Sequence, residues 1–263
     1  MPERLHVVIA VLNSKGGVGK TTVAVNLAAA LASSNRRVLL VDLDSAASAS
    51  RWLGVSPKHL RPSSASCLLE KYPILKAVRH TSTPHLDLLP GSIELANADI
   101  ALCGLRGRET AVRRMLERIS PNYDLVLLDC PPSLSLLGIN AIVAADGIVV
   151  PVSPEPLAVE ALETLLAAIE RVRSRMFSDS ALLGIVVSLV EPRRKHTREI
   201  AERLRAEHRE AIFHTEIRWT AALSAAPESR QTILAAAPRS SSADAFRRLT
   251  GELLQRLRTL KSR

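Results

Sequence analysis

The sequence predicts an α/β fold: a single doubly wound, mostly parallel sheet with helices on both faces. Three observations predict it. Short apolar runs of strand length recur along the chain and alternate with longer segments whose apolar residues fall at helical spacing. The first run, residues 6–12, leads through a glycine-rich turn into residues 23–31, an Ala/Leu-rich stretch that reads as a helix. Two later runs, residues 37–43 and 124–129, finish in aspartates, at the strand edge where doubly wound sheets bind ligands.

The turn reads Lys15-Gly16-Gly17-Val18-Gly19-Lys20-Thr21-Thr22. Strand, glycine-rich turn and helix in that order make a phosphate-binding loop. The glycines let successive N–H groups point at one place, and the helix start adds positive dipole there. Lys20 can reach the β- and γ-phosphates, and the Thr21 hydroxyl can bind Mg²⁺.

Further along, residues 37–43 read as a buried strand closing on Asp42-Leu43-Asp44, and 45–53 as small and polar, then helical. Residues 56–66, with two prolines and several serines, read as a loop. Residues 68–78 read as a helix and 86–89 as a short strand closed by Pro90-Gly91. Ser92 is the expected cap of a helix-rich stretch that runs to Ile119. Residues 124–129 form another buried strand, stopped by Cys130-Pro131-Pro132. Helix, strand, helix and strand follow at 134–145, 147–151, 157–176 and 182–190. A charged helix at 197–209 turns Ile200 and Leu204 inward, and residues 243–260 close the chain as an amphipathic helix. No internal repeat or long linker divides this series, so residues 1–263 read as one domain.

Nearly half of the residues are apolar, mostly Ala, Leu and Val, which suits a sheet covered by Ala/Leu-rich helices. Cys67, Cys103 and Cys130 are odd in number and widely spaced. That points to a reducing cytosol and away from a disulfide framework or structural zinc. No apolar stretch reaches the ~18 residues of a membrane span, and the N-terminus shows no signal-peptide pattern. The net charge of +9 is concentrated: residues 192–263 hold 16 Lys/Arg and 8 Asp/Glu. A basic sector of this kind favours a polyanionic partner, nucleic acid or an anionic membrane.

Three segments should converge at the sheet edge: the phosphate loop, Asp42/Asp44 and Asp129. Thr21 is the expected direct Mg²⁺ ligand, with Asp129 acting directly or through water. Asp44 is the candidate for orienting the attacking water, and Asp42 for supporting Mg²⁺ waters or the loop.

Position 14, where a standard phosphate loop has Gly, is Ser, and Lys15 follows it. Lys15-Gly16-Gly17-Val18-Gly19-Lys20-Thr21 resembles the deviant Walker A motif of the ParA/MinD ATPases. Val41-Asp42-Leu43-Asp44 and Asp129-Cys130-Pro131-Pro132-Ser133 resemble the Walker A′ and Walker B segments of ParA/Soj proteins. Ile139-Asn140-Ala141, Ala144-Ala145-Asp146 and the segment from Val150 to Glu155, with Pro151 and Pro154, follow in that family's order. Ala226-Pro227 resembles its loop near the nucleotide base.

The resemblance implies an ATPase that binds ATP and Mg²⁺ and dimerises around two ATP molecules. Lys15 would then reach the partner's phosphates and Asp44 would serve hydrolysis. It implies binding to double-stranded DNA without sequence preference, a ParB-like stimulating partner, and a cytoplasmic, nucleoid-associated life in chromosome or plasmid segregation or cargo positioning. Arg193 is the best positional match to the family's DNA-binding arginine; Arg194, Lys195, Arg198 and Arg218 could extend the patch. The sequence departs from the family at Ser45-Ala46-Ala47, usually Pro-Gln-Gly, and at Ala225, usually Glu.

Two rival readings remain. Phe246, Leu249, Leu253, Leu257 and Leu260 make one apolar stripe flanked by basic residues, as in the membrane-binding C-terminal helix of MinD-type relatives. The plainer alternative is a helix docked on the sheet. A redox enzyme on this fold would need two cysteines placed to share a cluster across a dimer, for which only Cys103 and Cys130 could be proposed.

Overall fold

The computed structural model describes residues 6–119, 122–191 and 194–261. Its strands are β1 (Val7–Val11), β2 (Val38–Asp42), β3 (Arg79–His80), β4 (Leu86–Leu89), β5 (Leu125–Asp129), β6 (Gly147–Val152), β7 (Ala181–Val190) and β8 (Ile217–Arg218). They lie side by side in the order β3-β4-β2-β5-β1-β6-β7-β8. Every pairing is parallel except β3 with β4.

The two-residue period of a strand divides the core in two. Val8, Ala10, Val126 and Leu128 face one layer, where the helices α3 (Ser64–Leu69), α5 (Ala98–Cys103), α6 (Ala111–Glu117), α7 (Leu136–Ala144), α8 (Ala158–Met176) and α9 (Lys195–Glu207) supply the covering side chains. Val7, Ile9, Val11, Leu125 and Leu127 face the other, covered by α1 (Lys20–Ala32), α2 (Ser48–Trp52), α10 (Ala221–Ala225), α11 (Ile233–Ala236) and α12 (Ser241–Lys261). All but Thr21 and Thr22 of α1 are buried, because α12 covers the flank that the sheet leaves open.

The register sets the site. Asp42 at the end of β2 is the direct neighbour of Asp129 at the end of β5, and Asp129 is also paired with Val11 at the end of β1. The phosphate loop leaves from β1, so loop and both carboxylates share one edge.

Several sequence expectations need correction. Residues 56–66 are not all loop: Pro57–His59 is a short 3-10 helix and α3 begins at Ser64, with Ser63 and Ser66 forming a capping box. The helix expected over 68–78 is broken. Lys71 takes a positive φ of 57°, Pro73 has no N–H to give, and the chain resumes only as α4 (Ile74–Ala77). Ser92 is the N-cap of a short 3-10 helix, Ile93–Asn97, as expected, but it caps through its carbonyl, which accepts from Leu95 N at 3.0 Å, while its hydroxyl shares a 2.8 Å hydrogen bond with that of Ser63. The strands β3 and β8 and the helices α10 and α11 carry too few residues to show a period.

The apolar stripe of α12 is internal: Phe246, Leu249, Leu253 and Leu257 are buried in the layer that holds α1. The docked reading of this helix is the observed one, and its apolar face is not presented to a membrane. Among the described residues, no helix is long and apolar enough to cross a membrane. Arg256 fixes the dock. Its guanidinium donates to Leu183 O, Ala211 O and Ile212 O at 2.7, 2.8 and 2.6 Å and lies 4.2 Å from the Phe213 ring centroid. Arg256 therefore belongs to the interior, although the sequence groups it with the basic sector. Arg256→Ala removes a charged donor from three carbonyls, of which Ala211 O keeps the Ile185 N–H at 2.9 Å, and should cost about 2–3 kcal/mol, read as a lowered urea midpoint with an unchanged slope.

Candidate functional site

The loop after β1 turns through left-handed residues, Gly17 at φ 76° and Gly19 at φ 84°, conformations that residues with a Cβ adopt at a cost. Space also restricts Gly19, since a Cβ there would lie 3.3 Å from Leu189 Cγ. The loop forms one wall of an open cavity of about 760 Å³, to which Gly16, Gly17, Gly19, Lys20, Thr21, Thr22 and Asp44 contribute. The start of α1 points its N–H groups into this space.

The Lys20 side chain is buried beneath the loop, and its Nζ donates to Lys15 O at 2.8 Å. Burial lowers its pKa, opposed by the charges of Asp129 and Asp44. The Thr21 hydroxyl donates to Asp129 Oδ2 at 2.8 Å. The other oxygen, Asp129 Oδ1, is buried without a hydrogen-bond partner. Burial first, then the adjacent Asp42, pushes this carboxyl well above the usual carboxylate range. An orphaned carboxylate oxygen beside a hydroxyl and a phosphate loop is what Mg²⁺ and its waters would satisfy, so this donor set fits that ion.

Asp42 is different. It is fully buried, and both of its oxygens are taken. Oδ2 accepts from Ser50 N and Ser50 Oγ at 2.9 and 2.6 Å, and Oδ1 accepts from Asp44 N at 3.1 Å. Burial still raises its pKa to about 6 against those bonds. Of the two roles expected for Asp42, supporting Mg²⁺ waters or the loop, the contacts seen belong to the second: its carboxylate holds the start of α2 and the backbone of Asp44. Asp44 itself stands half-exposed on the cavity wall, with Oδ1 accepting from Ala46 N at 2.9 Å.

Lys15 points away from its own cavity. Its Nζ donates to Glu155 Oε2 at 2.5 Å, with the two side chains 42% and 52% exposed. Its backbone N–H donates to Asn13 Oδ1 at 2.9 Å, and Asn13 Nδ2 donates to Pro151 O at 2.8 Å. Pro151 and Pro154 are buried and Val18 is held by its carbonyl, which accepts from Ser188 Oγ at 2.6 Å. None of these three lines the cavity, whereas Pro227 does. Beside Pro227 lie residues that the sequence reading missed: Arg51 and Trp52 of α2, with Val55, Glu228 and Arg230. The Trp52 Nε1–H donates to Gln231 O at 2.8 Å and so ties α2 to the Pro227 segment. Their only sequence signal was position, close behind Asp44 or Pro227.

Of the candidate DNA-binding residues, Arg193 lies outside the described residues. Arg194, Lys195, Arg198 and Arg218 are exposed. Three of them are paired to carboxylates of the same chain: Arg194 to Glu191 at 2.9 Å, Lys195 to Glu199 at 3.7 Å and Arg218 to Glu216 at 2.8 Å. The cysteine pairing considered for a redox site fares poorly: Cys103 is exposed, while Cys130 is buried with its thiol toward Leu128 O.

One glycine tests the arrangement of the aspartates. Gly91 N–H donates to Ser50 Oγ at 2.9 Å, and a Cβ at Gly91 would lie 2.8 Å from both Asp42 Cγ and Asp44 O. Gly91→Ala should displace both aspartates, cost about 1–3 kcal/mol and weaken Mg²⁺–nucleotide binding at least tenfold, measured with a fluorescent ATP analogue.

A family model described as an AAA domain matches residues 6–182. The chain is 42% identical over 249 residues to the chromosome-partitioning ATPase Soj of Thermus thermophilus, covering 95% of this chain and 96% of that one. It is 35% identical over 246 residues to the sporulation initiation inhibitor protein Soj of Bacillus subtilis, covering 94% and 97%. Among solved structures, cobyrinic acid a,c-diamide synthase from Mycobacterium smegmatis, with bound ADP and magnesium, superposes with a TM-score of 0.83 at 33% identity, covering 96% and 95%. A nucleotide with Mg²⁺ is thus the ligand on both counts, donor chemistry and likeness. The deviant loop, the two strand-end aspartates and these relatives agree: the chain belongs to the ParA/Soj family of P-loop ATPases.

Proposed function

We propose that this chain acts as one partition ATPase domain in which Mg²⁺–ATP closes two copies face to face. The closed dimer holds duplex DNA without sequence preference, and hydrolysis stimulated by a ParB-like protein releases it. The observation that carries this reading is the position of Lys15. A lysine on the phosphate loop that lies outside its own cavity, half-exposed and held only by an exposed carboxylate, is free to serve a second copy's nucleotide. An exposed pair of this kind is worth about 0–1 kcal/mol, so a triphosphate across a dimer would outbid Glu155.

Within one site, Lys20 and the loop N–H groups would hold the β- and γ-phosphates. Thr21 and Asp129 would hold Mg²⁺, which neutralises phosphate charge. Asp44 would orient the attacking water, fixed in place by Asp42 through its backbone N–H. The Pro227, Trp52 and Val55 end of the cavity would receive the nucleoside.

Gating of DNA by ATP also has a physical route. Ser188 and Leu189, at the end of β7, touch the loop at Val18 and Gly19. The basic segment that contains Arg194, Lys195 and Arg198 begins a few residues later. The names of the Soj relatives support a role in chromosome segregation, and with it a cytoplasmic, nucleoid-associated location. A MinD-like membrane cycle is disfavoured because the α12 stripe is internal. Amide synthesis, suggested by the name of the Mycobacterium structure, would show as ATP hydrolysis that depends on an amide donor rather than on DNA or a partner.

Light scattering with Mg²⁺–ATP should show a dimer for the wild type. Lys15→Ala should stay monomeric yet bind ATP, whereas Lys20→Ala should lose ATP binding about a hundredfold or more. A normal ATP dimer in Lys15→Ala would overturn the assignment across the dimer. Retention of non-specific duplex should require ATP and fall steeply with salt, and Arg198→Ala should flatten the log–log salt slope by about 0.9. Binding to anionic liposomes without binding to duplex would sink the DNA reading.

A further inference from the structure

We propose that Trp219 is the apolar anchor of the nucleic-acid surface, laying its indole against the groove and sugar edges of the duplex while the surrounding cations hold phosphates. The proposal rests on the DNA-binding reading above and adds to it a contact that the phosphate-binding residues cannot make.

The chain has two tryptophans, and they are treated oppositely. Trp52 is 6% exposed with its indole N–H bonded to Gln231 O, whereas Trp219 is 52% exposed. The Trp219 indole N–H has no hydrogen-bond partner among the described residues. A half-exposed indole with a free donor suits a surface that offers both apolar area and acceptors.

Its placement is specific. The Trp219 backbone N–H donates to Val190 O at 2.9 Å, so the ring belongs to the point where β7 ends and the segment of Arg194, Lys195 and Arg198 begins. Arg218 precedes it in the chain, 59% exposed at the side chain. The one exposed tryptophan thus follows Arg218 in the chain and is tied by its backbone to the strand end that leads to Arg194, Lys195 and Arg198.

Charge bookkeeping shows why an anchor is needed. Arg194, Lys195 and Arg218 each face a carboxylate of this chain, Glu191, Glu199 and Glu216, and Glu216 is shared with Arg205 at 3.1 Å. The patch is far less positive than its lysines and arginines suggest, and the pairs must exchange before phosphates are bound. Attraction to phosphate falls with salt, whereas apolar contact with the groove does not release counterions. A membrane is the weaker candidate for the same ring, since interfacial binding needs a broad apolar face, and the stripe that could supply one is buried in α12.

The anchor is also close to the nucleotide. Ser188 Oγ bonds Val18 O, Leu189 packs on Gly19, and Val190 O accepts from Trp219 N. Three consecutive residues thus run from the phosphate loop to the ring. Leu189 takes a positive φ of 56°, and the pairing of β7 with β8 shifts register between Ser188 and Val190. A change in the loop on nucleotide binding would be felt at Trp219 without crossing the core.

The test uses the full chain with Mg²⁺–ATP and a 50-base-pair duplex of arbitrary sequence. Trp219→Ala should weaken retention about tenfold while leaving the salt slope unchanged, and Trp219→Phe should recover most of the loss. Wild-type tryptophan emission should change on adding duplex, and that change should be absent in Trp219→Phe, where Trp52 alone reports. Unchanged far-UV circular dichroism and ATP binding show that the variants fold. If wild type binds duplex but Trp219→Ala binds as tightly, with no emission change in wild type, the anchor is overturned and the DNA reading stands. If wild type binds no duplex, both fall. If Trp219→Ala loses only binding to phosphatidylglycerol vesicles or to a partner protein, the ring serves that surface and the proposal fails.

Discussion

Two carboxylates, Asp42 and Asp129, sit side by side on paired strands with no exposure to solvent. Burying two like charges in contact is costly unless each is compensated, and the site is built around the two different solutions to that problem. Asp42 is compensated by the chain itself through three hydrogen bonds from Ser50 and Asp44. Asp129 is only half compensated, by the Thr21 hydroxyl and the nearby Lys20 charge. Its second oxygen is left without a hydrogen-bond partner, and a divalent cation held there would favour the charged form of Asp129.

The compensation of Asp42 has structural consequences further out. Ser50 cannot reach it unless α2 starts at Ser48, and Ser50 Oγ also accepts the Gly91 N–H. Ser64 adds a bond to the Asp42 carbonyl at 2.7 Å. The turn after β2, the turn after β4 and the start of α3 thus close on one residue, Asp42, directly or through Ser50. Asp44 is placed by this packing, so the water-orienting role proposed for it would depend on a residue that need not touch the nucleotide.

The parts of this picture that were legible in the sequence are those with a strong local period or a required residue type. The strand β1 is five apolar residues, β2 and β5 are four apolar residues closed by an aspartate, and the loop needs Gly17 and Gly19. Legibility failed where the structure depends on long-range exchange of partners. The sequence could place Asp42 near a metal or the loop but could not show that Ser50 would bond one of its oxygens twice and Asp44 N the other. Trp52 and Arg51 look like ordinary helix residues until the fold brings Pro227 opposite them. The shortest elements, β3 and β8, have no period to read. Arg256 looked like one more basic surface residue because nothing local reveals that three carbonyls converge on it.

Of the cations proposed to meet anions, all but Arg198, which makes no ion pair among the described residues, show one pattern. Lys15, Arg194, Lys195 and Arg218, assigned to act on anions outside their own chain, are exposed and parked on carboxylates close at hand. Lys20, assigned to its own nucleotide, is buried and parked on a backbone carbonyl. Under the proposed function, parking exposed cations on carboxylates would limit indiscriminate binding of polyanions, yet each pair is weak enough to be exchanged. The threshold for exchange is then set by how many anionic oxygens arrive together. A triphosphate or a duplex presents several at once; a single counterion does not. By this logic the switch proposed above would not require large movements: a polyanion presented in the geometry of the proposed dimer would turn internal pairs into intermolecular ones.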